Sequence, residues 1–212
     1  MAGIPTNFQS ISPVLANYNF VDLVSGTGYI KFYAGSTSDL NLLSNFEFYS
    51  NNIVETSSRN GSSYALVIEK SYDCLLNRPL DINGLGMVNL PFHGNSGGSN
   101  NGYAYATVSV LKWNGSTETL IATNDSYELA CPSGAEYYRI FAIDLNIPLT
   151  HFKIGEYLRL KIQVYSRENT GNMIAEFAHD PMGRMDDGID AWDTVNNTSS
   201  VLLFLCPVRL NL

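Results

Sequence analysis

The side chains able to do chemistry are few and poorly grouped. His93, His151 and His179 are spread along the chain, and none stands in HxH or HExxH spacing, the arrangements that bring two imidazoles to one metal. His151 is expected to cap the turn at Thr150–Lys153. Charge is densest in His179-Asp180-Pro181-Met182-Gly183-Arg184-Met185-Asp186-Asp187-Gly188-Ile189-Asp190, with Asp193 just beyond. Asp186, Asp187 and Asp190 are the candidate calcium ligands, but that ion takes carboxylates at alternate positions around a glycine plus a distal Glu. The spacing and the Glu are missing, so the default is a solvated or Arg184-paired loop. Asp180, Asp186 and Asp190 would serve a glycosidase only as a pair facing across a cleft. No GxSxG occurs, and Gly94-Asn95-Ser96-Gly97-Gly98 lacks the strand–turn–helix context of a nucleophile elbow. Cys74, Cys131 and Cys206 form no CxxC pair and read as small buried apolar residues in a reducing compartment. These residues imply no catalytic set, no metal and no cofactor, and the chain is expected not to be an enzyme.

Aromatic side chains offer more. With two Trp and 13 Tyr available, Tyr103, Tyr105, Trp113, Tyr137, Tyr138 and Trp192 are the candidates for a protein interface or a sugar-stacking surface. Tyr is also a common outward residue on strands, which is the plainer explanation of the same positions.

The elements that would position them are strands. From Tyr157 to Tyr165, Leu158, Leu160, Ile162 and Val164 fall on one face and Arg159, Lys161, Gln163 and Tyr165 on the other, the period-2 pattern of a half-buried strand. Further strands are expected at Tyr29–Tyr33, at Ser63–Lys70 with Tyr64, Leu66 and Ile68 inward or the strand apolar all round, and at Leu75–Asn83 with a break at Pro79. Others follow at Ile82–Phe92, Tyr103–Trp113, Thr117–Thr123, Glu136–Leu145, Met173–Phe177 and Val201–Leu210. Asn114-Gly115 signals a hairpin with a type I′ turn. Residues 39–49 read as a short helix or an irregular loop, 51–63 as an exposed turn region, 94–102 as a flexible loop, and the stretch after Arg167 as a polar break. The closing segment VLLFLCPVRL is apolar on both faces and should be covered on both sides.

About eight to ten strands with regular turn signals and little helix describe an all-β fold, an antiparallel, jelly-roll-like β-sandwich. Residues 1–19 read as an extended arm and 20–212 as one domain. A net charge of −8, with 12 scattered basic residues, argues against a nucleic-acid partner. Only 15% of residues are charged, against roughly 25% in ordinary soluble domains, which favours a surface partly covered by neighbours. No secretory leader is evident at the N-terminus, and the longest apolar run, Val201–Cys206, is far short of the roughly 20 residues that span a bilayer. Synthesis in a cytoplasm, without a membrane anchor, is the expectation.

Four segments together, NYNFVDLVSGTGYIKFYAG, NRPLDINGLGMVNLPF, IPLTHFKIGEYLRLKIQVYS and HDPMGR…VLLFLCPVRLNL, resemble uncharacterised virion structural proteins of tailed bacteriophages. In that group a Gly-rich strand start, a GExLRL strand and a P-[VF]-x-[IL]-x-L C-terminus recur. The resemblance implies a capsid decoration or minor capsid protein in the virion, self-associating, with a trimer favoured, and contacting other virion proteins, foremost a major capsid protein. It carries no site residues. The alternative is a carbohydrate-binding module on a phage particle or tail.

Overall fold

The structure is a computed structural model that describes residues 27–38, 40–184 and 198–209. The expected arm at 1–19, the calcium candidates Asp186, Asp187 and Asp190, and Trp192 lie outside the described residues. Ten strands run in chain order: β1 (Thr27–Ser36), β2 (Asn41–Ser44), β3 (Val54–Leu75), β4 (Leu80–Ser96), β5 (Gly102–Trp113), β6 (Glu118–Asp125), β7 (Leu129–Cys131), β8 (Glu136–Phe152), β9 (Tyr157–Ala178) and β10 (Leu203–Arg209). There is no helix among the described residues.

The expected jelly-roll sandwich is not what these strands build. The order β9-β3-β2-β1-β10-β4 closes on itself through a second β4–β9 ladder, giving a six-stranded barrel. Outside it, β5, β6 and β7 extend from β9, and β8 lies along β4. The physical reason is strand length. β3 and β9 are each 22 residues long, roughly 70 Å if straight, and one edge of β9 serves β5 over Tyr157–Arg167 and β4 over Met173–Phe177. A strand shared in this way joins what would otherwise be two separate layers.

The inward alternation expected for β9 is present: Leu158, Leu160, Ile162 and Val164 are all fully buried, in one continuous core with Val108, Val110, Phe141, Ile143, Phe177 and Phe204. β10 pairs β1 on one edge and β4 on the other, which places it inside the sheet. Phe204, Cys206 and Val208 are buried, whereas Leu203 and Leu205 on the other face stay partly exposed, so the expected cover on both faces is only partial. Cys131 and Cys206 are buried and Cys74 partly so, all unpaired. Burial pushes the Cys74 thiol up to about 11 and the Cys131 thiol to about 12, which keeps both protonated and unreactive.

Several local expectations change. Residues 39–49 contain strand β2 rather than a helix, and 54–63 belong to β3 rather than a turn. β9 runs on through the polar stretch after Arg167. Leu66 pairs with Tyr165 while Ile68 pairs with Val164, so Val67 is a bulge residue that reverses the parity of β3. Tyr64 and Leu66 therefore face outward, not inward. The Asn114-Gly115 hairpin forms, but Trp113 pairs with Glu118, so the loop is longer than a two-residue turn. Asn114 Oδ1 closes it by accepting from Ser116 N and Thr117 N at 3.0 and 2.8 Å.

Candidate binding crevice where a strand changes partner

The ladder of β9 with β5 ends at Arg167 opposite Tyr103, and its ladder with β4 begins at Met173 opposite Ser96. Between these points the β3–β9 register shifts on both sides of Gly61, which faces Glu168. Extra residues at such shifts bend the chain out of the sheet, and a crevice opens where the neighbours part. The β4–β5 loop is tied into it. Ser99 N and Asn100 N each donate to Thr170 Oγ1 at 3.2 Å, and Gly97 N donates to Asn172 O at 2.9 Å. This approach requires glycine at Gly98, because a β-carbon there would overlap Glu168 Oε1 and stand 2.8 Å from Thr170 Oγ1. The resulting crevice, of about 420 Å³, is lined by Ser99, Asn100, Asn101, Tyr103, Arg167 and Asn169.

Arg167 is held between two rings, its guanidinium carbon 4.2 Å from the Tyr103 centroid and 5.0 Å from that of Tyr64. A hydrogen bond with Tyr64 raises its pKa, against a smaller effect of burial. The Tyr64 hydroxyl donates to Glu128; burial first, and then that bond, push the phenol up. One step along the same face, Tyr105 and Tyr165 stack at 5.0 Å, nearly parallel, with Tyr64 edge-on to Tyr105 at 5.1 Å. Beneath the crevice, on the inner face, Glu168 is 1% exposed and both its carboxylate oxygens lack a hydrogen-bond partner among the described residues. Ser166 Oγ beside it in the strand is in the same state.

Of the aromatic candidates among the described residues, Tyr103 lines this crevice and Tyr105 adjoins it, while Trp113, Tyr137 and Tyr138 lie apart. Trp113 lies ten residues along β5, roughly 33 Å away, beneath Arg159 at 4.6 Å. Arg159 forks onto Asp73 with two bonds of 2.6 Å and also reaches Glu118. Tyr137 and Tyr138 are on β8; Tyr138 stacks on His93 at 4.3 Å, and His93 Nδ1 is 2.7 Å from Glu176. Tyr64, Tyr165, Arg167 and Asn169 had no place among the sequence candidates. The outward parity of Tyr165 and Arg167 was readable, whereas their register with Tyr103 and Tyr105 was not.

The titratable candidates take structural places. His151 does not cap its own turn but pairs with Asp81 across the β4–β8 ladder, Nδ1 to Oδ1 at 2.6 Å. His179 is fully buried with Nε2 at 3.3 Å from Glu55. Asp180, also fully buried, accepts from the backbone of Met182 and Arg184 and from the Arg184 guanidinium, which donates on to Ser50 O at 2.6 Å. The expected pairing with Arg184 is thus present. Among the described residues no group of three His, Cys, Asp or Glu could hold a metal ion.

No protein-family description and no curated relative matches the sequence. The fold does have neighbours. An aminopeptidase from a marine sediment archaeon, Thaumarchaeota archaeon, aligns with a TM-score of 0.57 at 10% identity, over 87% of this chain and 37% of that one. An α-amino acid ester hydrolase aligns at 0.52 and 12% identity, over 85% and 36%. The structure of infectious bursal disease virus, Gx strain, is matched only at 0.31 and 7% identity. This barrel is a fold that hydrolases carry. That finding overturns the expectation, drawn from the missing motifs, that the chain is not an enzyme, while at such identity the likeness is one of fold. The chain spans little more than a third of the length of these hydrolases. At that TM-score the virus structure carries no argument, so the expected likeness to virion proteins of bacteriophages rests on the sequence resemblance.

Proposed function

We propose that the chain is a structural component of a virion that works by surface contact, covering or joining capsid subunits. Its partners on this reading are a major capsid protein and further copies of itself, with a trimer favoured, and assembly takes place in a host cytoplasm. The observation that carries the reading is the apolar surface around the β1–β2 hairpin. Leu40 is 63% exposed, Phe46 58%, Tyr49 67% and Met182 49%. The hairpin is a built feature rather than a frayed end. Ser36 N donates to Ser50 Oγ at 2.9 Å, Asn51 N donates to Ser36 O at 2.7 Å, and Arg184 lies 4.1 Å from the Tyr49 ring centroid. Large side chains held outward in this way mark a contact surface when they are contiguous. The low charge content of the sequence and the resemblance of its four segments to virion proteins support the same reading.

Light scattering on the purified protein tests it. A trimer is expected, and Leu40→Asp with Tyr49→Asp is expected to shift it to monomer without loss of folded signal. A wild-type protein that stays monomeric across micromolar concentrations, and that labelling and electron microscopy do not find on any particle, refutes it.

A further inference from the structure

We infer that the crevice at the β9 switch, with the tyrosine pair beside it, is a binding site for a neutral oligosaccharide. This goes beyond the proposed structural role and does not depend on it. Three features carry the inference. The lining is made of hydrogen-bonding side chains, Ser99, Asn100, Asn101 and Asn169, with Tyr103 and Arg167. Carboxamides present donors and acceptors together, which is what a sugar hydroxyl, itself both, requires. A crevice of about 420 Å³ lies within the roughly 300–1,000 Å³ usual for small-ligand sites.

The second feature is the adjoining aromatic surface. Tyr105 and Tyr165 are two residues along their strands from Tyr103 and Arg167, roughly 7 Å, and both are partly exposed. Their rings stack on each other, 9° from parallel with centroids 5.0 Å apart, and the ring surface that this stack leaves exposed is what the apolar face of a pyranose would meet. A second ring in the chain would then reach the asparagines. Third, the site is preorganised. Arg167 is fixed between Tyr103 and Tyr64, Tyr64 is fixed by Glu128, and Thr170 ties down the loop carrying Ser99 and Asn100. Arg167, Tyr64 and the backbone of the loop need no further ordering on binding, which limits the entropy lost there. Glu128 is hydrogen-bonded to the Tyr64 hydroxyl, on the same ring that Arg167 packs against, and this carboxylate opposes the cation's pull on an anionic ligand, which is why a neutral sugar is assigned.

The test is a glycan array followed by saturation-transfer NMR with maltotriose, cellotriose, mannotriose and, as the acidic arm, a glucuronate trimer and sialyllactose. Binding of at least one neutral trisaccharide is expected, with Tyr105→Ala and Asn169→Ala each weakening it about tenfold or more. Trp113→Ala, far along the same face, should leave it unchanged. Asn169 is exposed, so Asn169→Ala keeps the fold and guards against a Tyr105 variant that fails to fold. Absence of any sugar signal from folded wild-type protein overturns the inference. So does binding confined to the acidic sugars, or binding that survives both Tyr105→Ala and Asn169→Ala.

Discussion

The two halves of β9 are made by one continuous strand and obey different rules. In Tyr157–Val164 every second residue is apolar and fully buried, the ladders to β3 and β5 run without a shift on the β5 side, and the outer face is a set of paired polar groups such as Arg159–Asp73 and Gln163–Glu69. Past Tyr165 the inward positions become Ser166 and Glu168, both buried and both without a hydrogen-bond partner among the described residues, and the register to β3 slips twice. A buried polar group left unpaired costs of the order of 1–3 kcal/mol. The first half therefore supplies stability, and the second spends part of it to open a crevice where the strand passes from β5 to β4. Departures from regular pairing of this kind concentrate at functional sites.

The contrast can be broken from either side, and the larger effect should come from the regular half. Leu160 is fully buried and sits between Tyr72 of β3 and Val110 of β5 in register. Leu160→Ala is expected to lower the unfolding free energy by about 2–5 kcal/mol, read as a fall in the urea midpoint with an unchanged slope. A loss under about 1 kcal/mol would mean that the core is not continuous through β9. Gly98→Ala probes the irregular half. Its β-carbon would meet Glu168 Oε1, Thr170 Oγ1 and Gly171 N, and the loop must shift, at a cost of about 1–3 kcal/mol. If the crevice is the sugar site, this variant also loses sugar binding; Leu160→Ala, while folded, does not.

The same contrast explains what was legible in the sequence. Leu158 to Val164 could be read because alternation is local and its period of two survives any change of neighbours. The interior place of β10 in the sheet was legible from its continuous apolar run, although its second face, with Leu203 and Leu205, is only partly covered. Barrel closure was not legible, because it depends on β4 pairing with Met173–Phe177, residues that follow a run, Glu168-Asn169-Thr170-Gly171-Asn172, which reads as a loop. Asn and Gly there mark a distortion within a strand, a meaning they share with turns. The inward assignment of Tyr64 failed at one residue, Val67, whose bulge reverses parity without a compositional sign. The crevice joins residues from the β4–β5 loop, β5 and β9, and only Tyr103 was singled out beforehand. Side-chain type identified one candidate; register, which is non-local, supplied the rest.

The smallest expected effect concerns a pair at the far end of the irregular half. Glu176 on β9 faces His93 on β4 at 2.7 Å. Burial pushes its carboxyl up, but hydrogen bonds from His93 and Thr56, with the charge of His93, outweigh this and hold it below the ordinary value of 4.5. A carboxyl whose folded pKa lies below its unfolded one binds fewer protons in the native state. Its contribution to stability is therefore present above about pH 4.5 and is lost as the pH falls through the lowered value. Wild type should lose more stability between pH 6 and pH 3 than Glu176→Gln does. The comparison is made by urea unfolding of both proteins at the two pH values, so that acid effects common to both cancel. Equal losses would show that the β4–β9 ladder, and with it the closure of the barrel, holds without this pair. A larger loss in Glu176→Gln would reverse the sign of the argument.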